Sequence, residues 1–189
     1  MRIISGLARG TKLYTLEGLN TRPTLDRVKE PLFSIIAPYI QEAQVLDLFA
    51  GSGALALEAL SRGAKEAVLC EISKEAVAVI QKNIEKTHMQ EKAKLMFKDF
   101  IDAIEEIARQ KKTFDIIFLD PPYKTCYDLI AIKSIIEKNL LTQDGIIIVE
   151  TDEEEKIELI KKIENITVQD IRKYGRVKLV FLKVAKGVK

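Results

Sequence analysis

Two short stretches hold residues whose types and spacing could do chemistry. The first is Asp47-Leu48-Phe49-Ala50-Gly51-Ser52-Gly53, at the end of the apolar run Val45–Phe49. Glycines at 51 and 53 let the backbone approach a ligand with no Cβ in the way. Glu71 closes a second apolar run 20 residues after Gly51, and an acid there can accept both hydroxyls of a ribose. The second stretch is Asp120-Pro121-Pro122-Tyr123, straight after the apolar run Phe114–Leu119. It ends a strand stiffly, with an acid before two prolines and an aromatic after them.

The glycine loop and Glu71 predict a nucleoside-containing cofactor. A dinucleotide loop would place a third glycine where this chain has Ala56. Asp47 would repel a pyrophosphate, but it can orient an ammonium. S-adenosylmethionine carries ribose, adenine and an amino group without phosphate, so these residues favour it over NAD. Asp99-Phe100, after a third strand-like run, suits the adenine: a carboxylate for its exocyclic amine and an aromatic face. Asp99 reads equally as the N-cap of the next helix.

The proline corner suits an aromatic amine as acceptor of a methyl group. Such a nitrogen delocalises its lone pair into the ring and is a poor nucleophile. The Asp120 carboxylate and the Pro121 carbonyl can accept both of its N–H bonds and pull it toward tetrahedral geometry. Pro122 locks its own φ and so directs that carbonyl. Tyr123 can stack on the base. Alignment then carries much of the catalysis, and Asp120 can take the proton afterwards. The base must be single-stranded or flipped out to enter.

The elements that position these residues alternate. Strands are expected at Val45–Phe49, Ala67–Cys70, Lys94–Phe97, Phe114–Leu119 and Gly145–Val149. Helices are expected at Ala54–Arg62, from Ser73 to about His88, Phe100–Arg109, Tyr127–Asn139 and Glu153–Ile163. That alternation argues for a parallel sheet covered on both faces. Thr167–Arg172 and Val177–Val184 lack a helix between them and should pair as an antiparallel hairpin. Residues 1–20 read as a small β-hairpin arm outside the sheet, and 21–189 as the main domain. A helix over Thr24–Ala37 contains Pro31, which should lie in its first turns or break it. The acidic run at 152–156 reads as a solvated helix N-terminus.

At 189 residues, 47% hydrophobic and 31% charged, the composition is that of a soluble globular protein. No stretch has membrane-span or signal-peptide character. Two cysteines imply no disulfide framework, Cys70 reads as a buried thiol, and a cytoplasmic location follows. His88, the single histidine, and Cys126 have no partner motif, so neither a metal site nor a thiol nucleophile is expected. The net charge of +2 divides into +3 over residues 1–30, +7 over 172–189 and −8 between them. Basic ends around an acidic middle suit a polyanion, although Arg172, Arg176 and Lys178 read equally as charges that protect an edge strand.

Together these residues look like a class I S-adenosylmethionine-dependent methyltransferase. MRIISGLARGTKL, RPTLDRVKEPLFSII (22–36), VLDLFAGSGALALEALSRGA (45–64) and FDIIFLDPPY (114–123) resemble the bacterial 16S rRNA guanine-N2 methyltransferases of the small ribosomal subunit. The resemblance spans essentially the whole chain. The glycine loop and the proline corner mark the superfamily; the arm and the RPTxDRVxExLF pattern mark the family.

The resemblance implies an α/β, Rossmann-like fold with a seven-stranded, mostly parallel sheet and an antiparallel last strand. It implies methylation at N2 of guanine 966. A small domain with a short basic arm has little surface for finding one guanine unaided, so a small-subunit particle or assembly intermediate is the expected substrate, and nothing in the sequence demands more than a monomer. Asp47, Phe49, Ala50, Gly51, Ser52, Gly53, Glu71, Ile72, Asp99, Phe100 and Asp120 would line the cofactor. Asp120, Pro121, Pro122 and Tyr123 would hold the guanine. Arg2, Arg9, Lys12, Arg22, Pro23, Thr24, Arg27 and Arg176 would meet the RNA. The arm departs from the family at Ser5-Gly6 and Leu7-Ala8, which shifts part of the RNA contact toward the basic C-terminal strand. The competing readings are adenine-N6 or glutamine-N5 methylation, a non-catalytic RNA-binding module on the same fold, and an NAD oxidoreductase.

Overall fold

The computed structural model describes residues 1–16, 23–122 and 124–185, with backbone alone for 23–27. The strands are β1 Gln44–Asp47, β2 Glu66–Glu71, β3 Ala93–Phe97, β4 Phe114–Leu119, β5 Leu141–Thr151, β6 Ile166–Tyr174 and β7 Val177–Val184. The helices are α1 Pro23–Ile35, α2 Ala37–Ile40, α3 Ala54–Ser61, α4 Lys74–Lys86, α5 Phe100–Arg109, α6 Tyr127–Glu137 and α7 Glu154–Ile160. They build a seven-stranded sheet in the order β3-β2-β1-β4-β5-β7-β6. β1 to β5 run parallel, and β7 inserts antiparallel between β5 and β6. The strand order reverses between β1 and β4, which opens a crevice at their carboxyl ends.

Alternation along the strands creates two cores. On β4, Ile116 and Phe118 join the layer of α1, α3 and α4, whereas Ile117 and Leu119 join that of α5, α6 and α7. β7 repeats the pattern: Leu179 and Phe181 face the first layer, Val180 and Leu182 the second. Burial on both faces explains why β4 has almost no polar residue.

The expected hairpin at the C-terminus is present, and β6 is its edge strand. Ser73 caps α4 by accepting from the Ala76 N–H. Pro31 departs from expectation: it lies well inside α1, which continues to Ile35. A proline forfeits one intrahelical hydrogen bond, and burial of Val28, Leu32 and Phe33 along one face outweighs that loss. The run at 152–156 is also not wholly solvated, because Lys156 is buried and paired with Asp128 and Glu153.

The N-terminal arm is a hairpin with a single antiparallel bridge, Arg2 to Lys12. Backbone hydrogen bonds from Ile3 to Thr11, Gly10 to Ile3 and Leu13 to Met1 close it. Ile3 and Leu13 point into the first core. No helix among the described residues is long and apolar enough to cross a membrane.

Candidate active site

The carboxyl ends of β1, β2 and β4 bring the two chemical stretches together. β1 lies between β2 and β4, with Asp47 opposite Leu69 on one side and Phe118 on the other. The glycine loop and Glu71 thus share one strand edge with Asp120, two residues past Phe118.

Glu71 braces the glycine loop. Its Oε2 accepts from the Gly51 N–H at 2.8 Å, and its Oε1 accepts from the N–H groups of Ile72 and Ser73, both at 2.9 Å. A carboxylate oxygen takes two donors comfortably, so Oε2 keeps capacity for a ligand hydroxyl. Gly51 has a left-handed φ of +54°, and among the described residues nothing lies within 4 Å of where a Cβ would stand. Gly53, at φ +77°, is crowded instead: a Cβ would sit 3.0 Å from Leu69 Cδ2. One glycine leaves room for a ligand; the other lets α3 start close against the sheet.

Asp47 is buried beneath this loop. Burial pushes its carboxyl up from 3.8 to about 7; N–H groups of Phe49 and Ala56 donate to it and oppose the rise, and the charge of Glu71 adds to it. Its Oδ1 makes no hydrogen bond among the described residues. A buried carboxylate with one oxygen unsatisfied fits a cationic group brought by a ligand. These features fit S-adenosylmethionine: acceptor capacity for a ribose, a bare glycine for close approach, and an acid for an ammonium.

Asp99 caps α5, accepting from the Ile101 N–H at 2.8 Å, as one of its two readings expected. Phe100 is buried; its ring packs 5.1 Å from that of Phe49 and 5.2 Å from that of Tyr127. It walls the site instead of offering an open face. The exposed apolar side chains here are Ile72 and Phe97, at the ends of β2 and β3, and Ile101 on α5. Phe97 pairs in register with Glu71, so it flanks that carboxylate.

At the proline corner, Asp120 is half-buried, Pro121 buried and Pro122 exposed. The Thr125 hydroxyl donates to the Pro122 carbonyl at 2.8 Å, and Lys124 adopts a left-handed φ of +60°. Glu153 accepts from the Lys124 N–H at 3.3 Å. Tyr123 and Arg22 lie outside the described residues, as do the side chains of Pro23, Thr24 and Arg27.

The basic residues divide. Arg2, Arg9, Lys12 and Arg176 are exposed. Lys178 is buried and paired with Glu154, so it serves the fold and not a phosphate. Arg172 pairs with Asp170 on the edge strand. Burial pushes the Cys70 thiol up to about 12, that of an inert core residue. Among the described residues, no group of three acids, histidines or cysteines could hold a metal.

Two residues missed by sequence reasoning tie the arm to this site. Glu58, wholly buried on α3, accepts from the N–H groups of Ile4 and Ser5 and pairs with Lys29 and Arg62. Asn83, wholly buried on α4, accepts from the Tyr14 N–H at 2.7 Å and donates to the carbonyls of Tyr14 and Ser52. A signal existed for each. Glu58 is the lone acid in the otherwise apolar ALALEALS, and Asn83 shares a helix face with Ile80 and Ile84.

The family described as "conserved hypothetical protein 95" matches residues 1–183. The ribosomal RNA small subunit methyltransferase D of Haemophilus influenzae is 39% identical over 158 residues, covering 83% of this chain and 81% of that protein. Its counterpart in Escherichia coli K12 is 38% identical, covering 82% and 76%. Among solved structures, a hypothetical protein of Thermus thermophilus superposes with a TM-score of 0.79 at 28% identity, over 97% of this chain and 99% of that one. A 16S rRNA N2-guanine methyltransferase of the same organism, solved with S-adenosylmethionine and guanosine, superposes at 0.69 over 90% of this chain and 45% of that one. At 24% identity it speaks for the fold alone.

Proposed function

The chain belongs to the conserved hypothetical protein 95 family, and we propose that it transfers a methyl group from S-adenosylmethionine to the N2 amine of a guanine in 16S rRNA. The observation that carries this reading is the shared strand edge of Glu71, Asp47 and Asp120 at the switch point of the sheet. The names of the relatives support the RNA substrate. The family resemblance adds guanine 966 as the target, and the small domain with its short basic arm and two cysteines adds a small-subunit particle as the acceptor, a monomeric enzyme and a cytoplasmic location.

When bound, S-adenosylmethionine supplies an electrophilic methyl group on its sulfonium. Glu71 accepts from a ribose hydroxyl at Oε2 while its other bonds keep the glycine loop in place. Asp47 faces the amino group and, once charged, neutralises it. Asp99 accepts from the adenine amine without giving up its cap, since a carboxylate has lone pairs to spare. Ile72, Phe97 and Ile101 cover the adenine faces. On the acceptor side, the Asp120 carboxylate and the Pro121 carbonyl hold both N–H bonds of the guanine amine, and Tyr123 stacks on the base. The Thr125 and Glu153 hydrogen bonds hold the corner's far side rigid, so little alignment entropy is left to lose at the transition state. Asp120 accepts the proton released as the N–C bond forms.

The test is methyl transfer from labelled S-adenosylmethionine to small subunits from cells lacking this protein, followed by nucleoside mass spectrometry. N2-methylguanosine is expected with the wild type and is absent with Asp120→Ala, which still binds cofactor. N6-methyladenosine, or no methylated nucleoside, overturns the reading.

A further inference from the structure

Beside the glycine loop, the arm presents an aromatic ring set among cations. Tyr14 is half-exposed at 50%, and the Lys86 ammonium lies 4.2 Å from its ring centroid. Its backbone is not free to move, because Asn83 holds both its N–H and its carbonyl. The same Asn83 Nδ2 donates to the Ser52 carbonyl at 2.9 Å, so Tyr14 stands one side chain away from the glycine loop. Met1 Sδ, 4.0 Å from the Ser52 hydroxyl, places the start of the arm there as well.

Arg2 and Lys12 are exposed and lie directly opposite each other across the hairpin. Like charges so placed destabilise a strand pair. Among the described residues that line the hollow shared by Arg2 and Lys12, Glu30 is the one acid against those two cations. On α4, exposed Lys82 precedes Lys86 by one turn, with the exposed Glu85 between them in sequence. An anchored ring with an ammonium at its face and further cations on the adjoining strand and helix turn is the arrangement that binds single-stranded nucleic acid, where bases stack and phosphates pair with lysine and arginine.

We propose that Tyr14, with Lys86 at its face, is a stacking platform for an unpaired nucleotide of the RNA, and that Arg2, Lys12 and Lys82 hold the flanking phosphates. The proposal rests on the RNA methyltransferase reading and adds to it a path: the strand runs from the arm over Tyr14 to the last turns of α4. It commits the enzyme to an unpaired segment next to its target base. A stacked base beside Ser52 would also keep the target nucleotide from re-pairing while its amine is held at Asp120.

The experiment measures binding of a short fluorescein-labelled single-stranded RNA, and of the duplex of the same sequence, alongside methyl transfer to small subunits. Tyr14→Ala should weaken single-strand binding roughly 5- to 150-fold, the cost of about 1–3 kcal/mol per stacked base. KM for subunits should rise in step, with cofactor affinity unchanged. Tyr14→Phe keeps the ring and should bind like the wild type. Lys82→Ala and Lys86→Ala should each flatten the salt dependence by about 0.7 in the log–log slope. The anchor at Tyr14 is made by its backbone, so the truncation leaves the arm docked, which far-UV circular dichroism and proteolysis would check. Unchanged binding by Tyr14→Ala, equal loss with Tyr14→Phe, or equal affinity for the duplex overturns the platform while methyl transfer by the wild type stands. Absence of transfer by the wild type overturns the underlying reading itself.

Discussion

Lys29 and Glu58 meet as an ion pair at 3.2 Å with neither side chain exposed. Around it, Glu58 also receives Arg62 and the N–H groups of Ile4 and Ser5, while Lys29 donates to the carbonyl of Arg2. A residue of the helix after the glycine loop thereby anchors the arm in two places. Removing Glu58 takes the carboxylate at 3.2 Å away from the buried Lys29 and leaves the Ile4 and Ser5 amides without their acceptor, and breaking such a buried pair costs about 3–5 kcal/mol. Glu58→Ala is expected to lower the unfolding free energy by that amount in urea titrations. It should also release the arm, so that trypsin cuts at Arg9 before the rest of the chain opens. A full stability loss with a protease-resistant arm would show that the arm is held elsewhere.

Asp47 should make both stability and cofactor binding depend on pH. Its folded carboxyl, raised to about 7 by burial, holds a proton that the unfolded chain releases near 3.8. The stability it contributes is therefore fully present below about 3.8 and is lost as pH rises through 7. Over that window the wild type should lose up to about 4 kcal/mol from this group, whereas Asp47→Asn should give a flatter profile and exceed the wild type at pH 8. Binding runs the other way. An ammonium beside Asp47 favours the charged carboxylate, so affinity should rise from pH 6 to 8 with release of up to one proton. Calorimetry in two buffers of different ionisation enthalpy reads that proton directly. No buffer dependence would place the ammonium away from Asp47.

The two loop glycines should fail differently. Both hold left-handed backbone, where a Cβ costs roughly 1–2 kcal/mol. Gly53→Ala adds a clash with Leu69 and should lose the more stability. Gly51→Ala meets no atom of the described residues, yet its methyl would project into the space the proposed cofactor needs. It should lose cofactor affinity at least tenfold for a smaller stability loss. Equal losses of affinity would mean that both substitutions act through the loop's shape alone.

How far the site was legible follows from the range of the forces involved. Periodicity and turn residues are local, so β4, the glycine loop, the Ser73 cap and the proline corner could be placed from neighbouring residues. The meeting of Asp47, Gly51 and Glu71 was readable too, because they sit at strand ends whose order the alternating elements imply. Glu58, Asn83, Lys29 and Lys156 were not readable as anchors. Each is a polar residue on a helix whose partner comes from another element, at 69 positions' separation for Asn83 and Tyr14. Phe100 shows the opposite error: its place next to Asp99 suggested an open face, but Phe49 and Tyr127, each far away in sequence, close over it.

Lys156 provides the last case, where stability and catalysis should separate. It is buried, 3.5 Å from the fully buried Asp128 on α6 and 2.9 Å from Glu153, which in turn accepts from the Lys124 N–H. The Lys124 backbone is left-handed, a conformation that a lysine keeps only when its surroundings impose it. The chain of contacts thus runs from the second core to the proline corner. Lys156→Met leaves Asp128 as an unpaired buried charge and should cost about 3–5 kcal/mol in stability. Glu153→Gln leaves that core pair intact, and its own partly exposed pairing is worth at most about 1 kcal/mol. It should nevertheless lower kcat, because the corner beyond Tyr123 loses its charged acceptor, while cofactor affinity stays at the wild-type value. Stability by urea titration and single-turnover methyl transfer would separate the two effects. Wild-type turnover in Glu153→Gln would reduce this chain of contacts to a structural one.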